Sequence, residues 1–139
     1  MGPWVFLGRL LISNQKVVVG NQFGLIKTIV FEIKDKGWIL AVVTGHDRID
    51  YKLLARACDT NRKQIRSVAP ETVERELGFE VGGIGPFPID DSVNVIVDES
   101  LVDIGMIFCG SGRNTETIEM KMADLISLIN PFVCRIKKV

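Results

Sequence analysis

Short runs of β-branched and aromatic residues dominate this sequence, and stretches with helical periodicity are few. Residues 28–33 and 38–43 form two such runs, and the turn-forming residues 35–37 between them predict a β-hairpin. Further strands are predicted at residues 17–19, 93–97, 103–108, 116–120 and 133–136. A chain with this many short strands is expected to fold around a β-sheet.

Three helices are predicted between the strands. Asp50 can cap the first helix, in which the apolar residues of 53–58 recur with the helical period. Pro70 suits the first position of the second helix, Gly78 suits its end, and the third helix covers residues 122–129. Since strands and helices do not alternate regularly, the pattern predicts an α+β fold, a mixed curved β-sheet or small β-barrel flanked by helices.

Size and charge limit the partners of such a chain. Its 139 residues fit one domain, so a single domain over residues 1–139 is expected. Seventeen Lys and Arg balance seventeen Asp and Glu, which argues against a global positive field that holds long nucleic acids. A limited nucleic-acid contact needs only a local basic patch, for which the candidates are Lys27, Arg62, Lys63, Arg66 and Arg113.

Metal-binding residues are scarce in the sequence. Cys58, Cys109 and Cys134 are too widely spaced for a C-x-x-C zinc or redox site, and His46 is the single histidine. We therefore expect no metal and no cofactor, and His46 is either a surface residue or a general base. The sequence has neither an uninterrupted apolar run of about 18 residues nor a recognisable signal peptide, so we expect a cytoplasmic protein without a membrane partner.

Lys27 directly precedes the strongly apolar strand at residues 28–33. A lysine at the start of a strand is commonly a solvated residue that protects the sheet edge from pairing with other chains. The alternative is a catalytic group. The residue types alone favour the first interpretation.

Two glycine-rich segments, residues 82–86 and 110–114, are candidates for ligand contact. Glycine lets the backbone N–H groups approach a ligand closely, and Pro86 stiffens the first segment. Neither G-x-G-x-x-G nor the P-loop pattern is present, so the first segment can equally be a tight turn and the second an ordinary hairpin connection. Asp98 at a predicted strand end can either orient a ligand or cap the turn that follows.

Several segments of the sequence, taken in chain order, form one pattern. The matching segments are residues 26–30, 45–50, 78–86, 97–98 and 110–113. The ordered set resembles the YbaK/ProX aminoacyl-tRNA editing family from about residue 25 to residue 128. The combination of Lys27-Thr28 with the G-F-E-V-G-G block at residues 78–83 is specific to this pattern, whereas each piece alone is not.

The resemblance implies a mixed β-barrel with flanking helices and a pocket for the charged 3′-terminal adenosine of tRNA. The implied activity is trans-editing, the hydrolysis of the ester bond of a mischarged aminoacyl-tRNA. Cys- or Ala-tRNA(Pro) is the expected substrate, prolyl-tRNA synthetase is a candidate partner, and no oligomeric state is implied. Family members usually carry a helix before the lysine, and residues 1–24 do not resemble it.

The resemblance also implies roles for individual residues. Lys27, Gly83 and Gly85 are expected to be catalytic, the lysine at a phosphate or the ester carbonyl and the glycines through their backbone. Glycine at positions 83 and 85 is further expected to leave open space for the amino-acid side chain. The expected substrate-binding residues are Thr28, Gly82, Ile84, Pro86, Asp98, Gly110, Ser111, Gly112 and Arg113.

Two alternatives use the same fold. A non-catalytic module would capture aminoacyl-tRNA or a synthetase without hydrolysis, and a hydrolase for a free small ester or amide would use the pocket without tRNA contacts. Lys27 and the G-x-x-x-P segment at residues 82–86 favour the aminoacyl-tRNA deacylase over the binding module.

Overall fold

The computed structural model of the chain describes residues 9–12 and 24–139. The strands are β1 (Arg9–Ile12), β2 (Ile26–Ile33), β3 (Gly37–Thr44), β4 (Ile65–Ser67), β5 (Asn94–Asp98), β6 (Met106–Gly110), β7 (Glu116–Lys121) and β8 (Phe132–Cys134). The helices are α1 (Tyr51–Ala57), α2 (Pro70–Leu77) and α3 (Met122–Ile129), with 3-10 turns at Arg62–Gln64 and Glu99–Leu101. The predicted strand at residues 17–19 lies outside the described residues.

The strands form two sheets that meet at β2 and β6. A mixed five-stranded sheet has the order β4-β2-β3-β5-β8, and an antiparallel three-stranded sheet has the order β1-β7-β6. A parallel bridge between Leu25 and Phe108 joins the sheets, and the Phe108 N–H donates to the Gly24 carbonyl at 2.7 Å. This arrangement confirms the predicted α+β class with a mixed sheet and flanking helices.

The predicted hairpin and all three predicted helices are present. β2 pairs antiparallel with β3 through the turn at residues 35–37, where Asp35 and Gly37 have φ angles of 65° and 91°. The Asp50 carboxylate accepts from the backbone N–H groups of Lys52 and Leu53 at the start of α1. Gly78 ends α2 in the left-handed conformation with φ 78°, which glycine adopts without steric cost.

The observed bounds of the predicted strands shift by up to three residues, and the shifts of β6 and β8 have a clear structural cause. β6 starts at Met106 rather than Asp103, because the chain leaves a 3-10 turn at Leu101 and Gly105 takes a φ of 88° before the strand. β8 covers residues 132–134 rather than 133–136, since the Ile136 and Lys137 N–H groups donate to the Asp98 carboxylate instead of a strand partner. β1 and β4 were not predicted.

Apolar residues fill both faces of the five-stranded sheet. On the first face, Leu40 and Val42 of β3 pack with residues of α2, α3, β6 and β7. On the second face, Ala41 and Val43 of β3 pack with residues of α1 and with Ile136 near the end of the chain. Because alternate strand residues face opposite sides, the central strands are apolar on both.

Within residues 9–12 and 24–139, no helix is both long enough and apolar enough to span a lipid bilayer.

Candidate active site

The first glycine segment begins with a tight turn. The Gly83 N–H donates to the Glu80 carbonyl at 2.8 Å, and Gly82 at the third position of the turn has φ 84°. This is the geometry of a type II turn, which requires a residue that tolerates positive φ at that position. The turn leads the chain into residues 84–86, where Gly85 and Pro86 are buried.

The two glycine segments contact each other. The Glu80 N–H donates to the Gly112 carbonyl at 2.8 Å, and the Gly112 N–H donates to the Gly83 carbonyl at 2.8 Å. The Arg113 side chain lies 3.5 Å from the Glu80 carboxylate, so an ion pair supports these two backbone bonds. We call the joined segments, residues 80–86 and 110–114, the loop clamp.

The glycines permit this contact because backbone fills the space beside them. A Cβ atom on Gly83 would lie 2.5 Å from the Arg113 carbonyl carbon, and one on Gly85 would overlap the Gly110 carbonyl oxygen. One on Gly110 would overlap the Ile84 carbonyl oxygen. The space at Gly83 and Gly85 is therefore occupied by the other segment of the clamp, and it is not the open space expected for a substrate side chain.

Two neighbouring N–H groups in the clamp lack a partner within the described part of the chain. Among residues 9–12 and 24–139, the Ile84 and Gly85 N–H groups find no hydrogen-bond acceptor. Gly85 is buried and Ile84 is half-buried, whereas nearly all buried N–H groups of folded proteins are paired. Adjacent N–H donors without an acceptor can bind an anion or a carbonyl oxygen that develops negative charge.

Lys27 lies at the same end of the fold as the clamp. A parallel bridge joins Leu25 and Phe108. Lys27 lies two residues after Leu25, and Gly110 lies two residues after Phe108. Residues two apart share a face of a strand, and bridged residues of parallel strands face the same side. The register therefore places half-buried Lys27, Gly110 and the adjoining Ile84 backbone on one side of the fold.

Thr28 lies on the other face of β2. Its register partner is Val42, and it alternates with Ile26 and Val30, which pack in the core between the sheet and α2 and α3. Thr28 is 9% exposed. The structure thus separates Thr28 from Lys27 by the thickness of the strand.

The polar residues of the second segment are engaged within the clamp. The Ser111 hydroxyl accepts from the Arg113 N–H at 3.1 Å. Arg113 lies 3.5 Å from the Glu80 carboxylate and 3.8 Å from the Glu116 carboxylate, with 69% of its side chain exposed. Any phosphate that Arg113 binds must compete with these two carboxylates.

Asp98 is fully buried at the end of β5 and has a complete set of partners. Its carboxylate accepts from the Ile136 N–H at 2.8 Å, the Lys137 N–H at 2.9 Å, and the N–H and hydroxyl of Ser100. Burial raises the pKa of this carboxyl, but these hydrogen bonds outweigh it and hold the pKa below its usual value. The capping interpretation is confirmed, and a substrate contact stays a prediction.

The cysteines are poor nucleophiles. Burial raises the pKa of the Cys109 thiol, next to Gly110, to about 12, so almost none of it is thiolate at neutral pH. Burial also raises the pKa of Cys58 and of Cys134.

His46 is exposed in the turn after β3. The described residues bring no three His, Cys, Asp or Glu side chains together as a metal-binding group.

A depression of about 240 Å³ lies at the opposite end of β2 from Lys27. Its walls include Glu32, Lys34, Asp35 and Arg66. Lys34 follows Lys27 by seven positions along β2, roughly 23 Å at the usual rise per residue. Arg66, a predicted basic-patch residue, is thus far from Lys27 and lies opposite Glu32 in the register of β4 with β2.

Sequence reasoning missed the contribution of Glu80. Its N–H and its carboxylate both contact the second segment, so it joins the two halves of the clamp. No local signal could have assigned this role, because Glu80 and Gly112 lie more than 30 residues apart in the sequence.

Known proteins resemble this chain in sequence. A family model described as the aminoacyl-tRNA editing domain matches residues 15–128. The "Uncharacterized protein YwhH" of Bacillus subtilis (strain 168) is 28% identical over 99 residues, which is 71% of this chain and 61% of that protein. The "Putative Cys-tRNA(Pro)/Cys-tRNA(Cys) deacylase EbsC" of Enterococcus faecalis (strain ATCC 700802 / V583) is 24% identical over 106 residues, 76% of this chain and 63% of that protein. The chain thus spans about three fifths of the length of these curated relatives.

Solved structures share the fold at low sequence identity. The hypothetical protein APE2540 superposes with a TM-score of 0.83 at 19% identity, covering 94% of this chain and 91% of that one. A structure described as "a putative trans-editing enzyme for prolyl tRNA synthetase" has a TM-score of 0.81 at 20% identity, covering 95% and 87%.

Proposed function

Because the chain belongs to the aminoacyl-tRNA editing domain family, we propose that it is a trans-editing deacylase that hydrolyses mischarged aminoacyl-tRNA. The observation that carries this proposal is the pair of N–H groups at Ile84 and Gly85, which find no acceptor in residues 9–12 and 24–139 and lie on the side of the fold where Lys27 lies. Such a pair is suited to a carbonyl oxygen that becomes negative during ester hydrolysis.

The reaction needs no side-chain nucleophile. Water attacks the carbonyl carbon of the aminoacyl ester, and the negative charge that forms on the carbonyl oxygen is stabilised by the Ile84 and Gly85 N–H groups. The bond between that carbon and the ribose oxygen then breaks, and the proton released by the water goes to the departing oxygen. Free amino acid and deacylated tRNA are the products, and an ester this activated requires mainly correct positioning.

Lys27 supplies positive charge at the same place. Its ammonium group can neutralise the terminal phosphate or polarise the ester carbonyl, and either interaction is strongest where water is partly excluded. The clamp glycines keep the two N–H groups in position, and Gly82 and Pro86 shape the loop that carries them. Substrate contacts by Thr28, Asp98, Ser111 and Arg113 stay predictions.

Cys-tRNA(Pro) and Ala-tRNA(Pro) are the substrates we propose. The relative EbsC carries the name of a Cys-tRNA(Pro)/Cys-tRNA(Cys) deacylase, which supports the first of these. We further propose that the chain acts as one domain in the cytoplasm, on the acceptor end of tRNA, with prolyl-tRNA synthetase as a partner. The Ile84 and Gly85 N–H groups can also hold an anion in a binding module without hydrolysis. Their combination with Lys27 on the same side of the fold favours the enzyme.

A deacylation panel tests the proposal. Cys-, Ala- and Pro-tRNA(Pro) are incubated with the wild type, with Lys27→Ala and with Lys34→Ala, a matched lysine at the other end of β2. We expect the wild type to release amino acid from at least one mischarged tRNA, with or without a chelator. Lys27→Ala should lose at least 100-fold in rate while its melting temperature is unchanged, and Lys34→Ala should match the wild type.

Two results would contradict this assignment. A wild type that binds these tRNAs but hydrolyses none of them is a binding module. A folded Lys27→Ala that keeps the wild-type rate removes Lys27 from the site.

A further inference from the structure

The zero net charge of the chain conceals a strong separation of charge. Residues 48–66 carry six Lys or Arg and two Asp or Glu, and residues 132–139 carry three Lys or Arg and no acidic residue. Residues 71–124 carry three Lys or Arg and twelve Asp or Glu. The chain therefore alternates between a basic, an acidic and again a basic segment.

The fold places the two basic segments together. Ile49, Leu54 and Ile65 of the first segment pack with Ile136 of the second on one face of the five-stranded sheet. The acidic segment supplies α2, α3, β6 and β7, whose apolar residues pack on the opposite face. One side of the molecule is consequently basic and the other acidic.

The basic segments are also joined by hydrogen bonds. The Lys138 N–H donates to the Arg48 carbonyl at 2.7 Å, and the Asp50 N–H donates to the Ile136 carbonyl at 2.7 Å. The Arg62 guanidinium lies 4.0 Å from the centre of the Tyr51 ring at the start of α1. These contacts form one continuous surface. We call it the basic surface, and its exposed members are Arg48, Lys52, Arg56, Arg62, Lys63 and Lys138.

The cations of the basic surface have no carboxylate partner within 4.0 Å among residues 9–12 and 24–139. Arg75 and Arg113, which do pair with carboxylates, both lie in the acidic segment. Lys52 and Arg56 are four residues apart on α1, so two like charges sit on one helix face without an acid between them. Such an arrangement costs folding free energy unless an external anion offsets it.

The basic surface begins beside the candidate active site. The Gly45 N–H donates to the Leu25 carbonyl at 2.8 Å, and Arg48 follows Gly45 by three residues. Lys27 alternates with Ile29 and Phe31, which pack on the face of the sheet that α1 covers. A ligand whose end reaches Lys27 can therefore continue over α1.

We propose that the basic surface binds the phosphate backbone of the tRNA acceptor stem while the aminoacylated 3′ end occupies the site at Lys27, and this rests on the proposed deacylase function. A regular line of phosphates matches a row of exposed cations that outnumber the acids, Asp50 and Asp59, six to two in residues 48–66. Over residues 48–66 a protein partner is a poorer match, because stable protein interfaces have an apolar core and no large apolar residue of that segment is exposed. The exposed apolar residues Phe132, Val133 and Val139 belong to the second basic segment.

The test compares two double variants that each remove one lysine and one arginine. Lys52→Gln with Arg56→Gln alters the basic surface, and Arg75→Gln with Lys121→Gln alters exposed positions on the acidic side. Lys52, Arg56 and Arg75 lie in helices, where glutamine is nearly as favourable as lysine and arginine, and Lys121 is the exposed last residue of β7, so both proteins should fold. kcat/KM is measured with full-length mischarged tRNA and with a short aminoacylated 3′-end oligonucleotide, and binding of deacylated tRNA is measured against salt concentration.

We expect the basic-surface variant to lose roughly tenfold in kcat/KM on full-length tRNA and to equal the wild type on the short substrate. Its slope of log affinity against log salt should be shallower by about 1.8, the counterion release of two phosphate contacts. The acidic-side variant should behave as the wild type in every assay.

Equal activity of the basic-surface variant and the wild type on full-length tRNA would contradict tRNA binding by the basic surface. The proposed deacylase function would be unaffected by that result. If the wild type hydrolyses neither substrate, the proposed deacylase function is wrong. The binding measurements then test whether the basic surface binds tRNA. Weaker tRNA binding by the basic-surface variant alone then supports it. Equal binding by both variants, or no binding by the wild type, overturns it.

Discussion

The molecule holds two polar clusters that use buried backbone N–H groups in opposite ways. At the end of β5, the Asp98 carboxylate accepts from Ser100, Ile136 and Lys137, so the cluster is closed. In the loop clamp, the Ile84 and Gly85 N–H groups have no acceptor among the described residues. A closed cluster stabilises the fold, whereas an open one is available to a ligand. The presence or absence of an acceptor thus distinguishes the two clusters where residue type does not.

The largest effect is expected from Gly85→Ala in the open cluster. The added methyl group would overlap the Gly110 carbonyl oxygen, so the two segments of the clamp must separate and the N–H pair must move. We expect kcat/KM to fall about 100-fold. The free energy of unfolding should fall by about 2 kcal/mol. Both are measured on one preparation, by deacylation and by urea unfolding.

Gly105→Ala is the matched control for that variant. Its added methyl group meets no atom within 4 Å, but the φ of 88° is unfavourable for alanine, so the free energy of unfolding should fall by about 1 kcal/mol. Its kcat/KM should equal that of the wild type. A Gly85→Ala protein with normal turnover would show that the open cluster does not contact the substrate.

Substitutions in the closed cluster should lower the free energy of unfolding and leave kcat/KM unchanged. Asp98→Ala leaves the Ile136, Lys137 and Ser100 N–H groups without their acceptor, and we expect the free energy of unfolding to fall by about 3 kcal/mol. Ser100→Ala removes one donor and keeps the carboxylate bonded to the C-terminal segment, so its loss should be about 1 kcal/mol. If folded Asp98→Ala loses turnover while Ser100→Ala does not, Asp98 acts on the substrate and the comparison of the two clusters is wrong.

A smaller effect on the free energy of unfolding is expected at acidic pH. Because hydrogen bonds hold the pKa of Asp98 below its usual value, its stabilisation is fully present above the unfolded pKa of about 3.9 and is lost as the pH falls through the folded pKa. The free energy of unfolding of the wild type should therefore decline below about pH 4. Asp98→Asn, which cannot titrate, should flatten that decline more than Asp90→Asn at an exposed turn. Identical acid profiles for the two variants would contradict the assigned cause.

Local features of the fold could be predicted from the sequence. The turn at residues 35–37, the Asp50 cap and the helix end at Gly78 lie where the residue types indicate, because each depends on neighbours within a few positions. β4 was missed since its three residues, Ile65–Ser67, show too little alternation and become a strand only by pairing with β2. The resemblance named both glycine segments, but their mutual contact could not be predicted from spacing.

The sequence by itself therefore determined the hairpin, the helices, the scarcity of metal ligands and the family pattern. Only the tertiary structure decided that Gly83 and Gly85 serve contact with the second segment, that Asp98 is fully partnered, and that acidic and basic residues lie on opposite sides. The physical reason is the separation in sequence of the residues on which each feature depends. Turns and caps depend on backbone angles and hydrogen bonds between near neighbours, whereas a clamp, a closed cluster and a charged surface depend on which distant segments the packing of the core brings together.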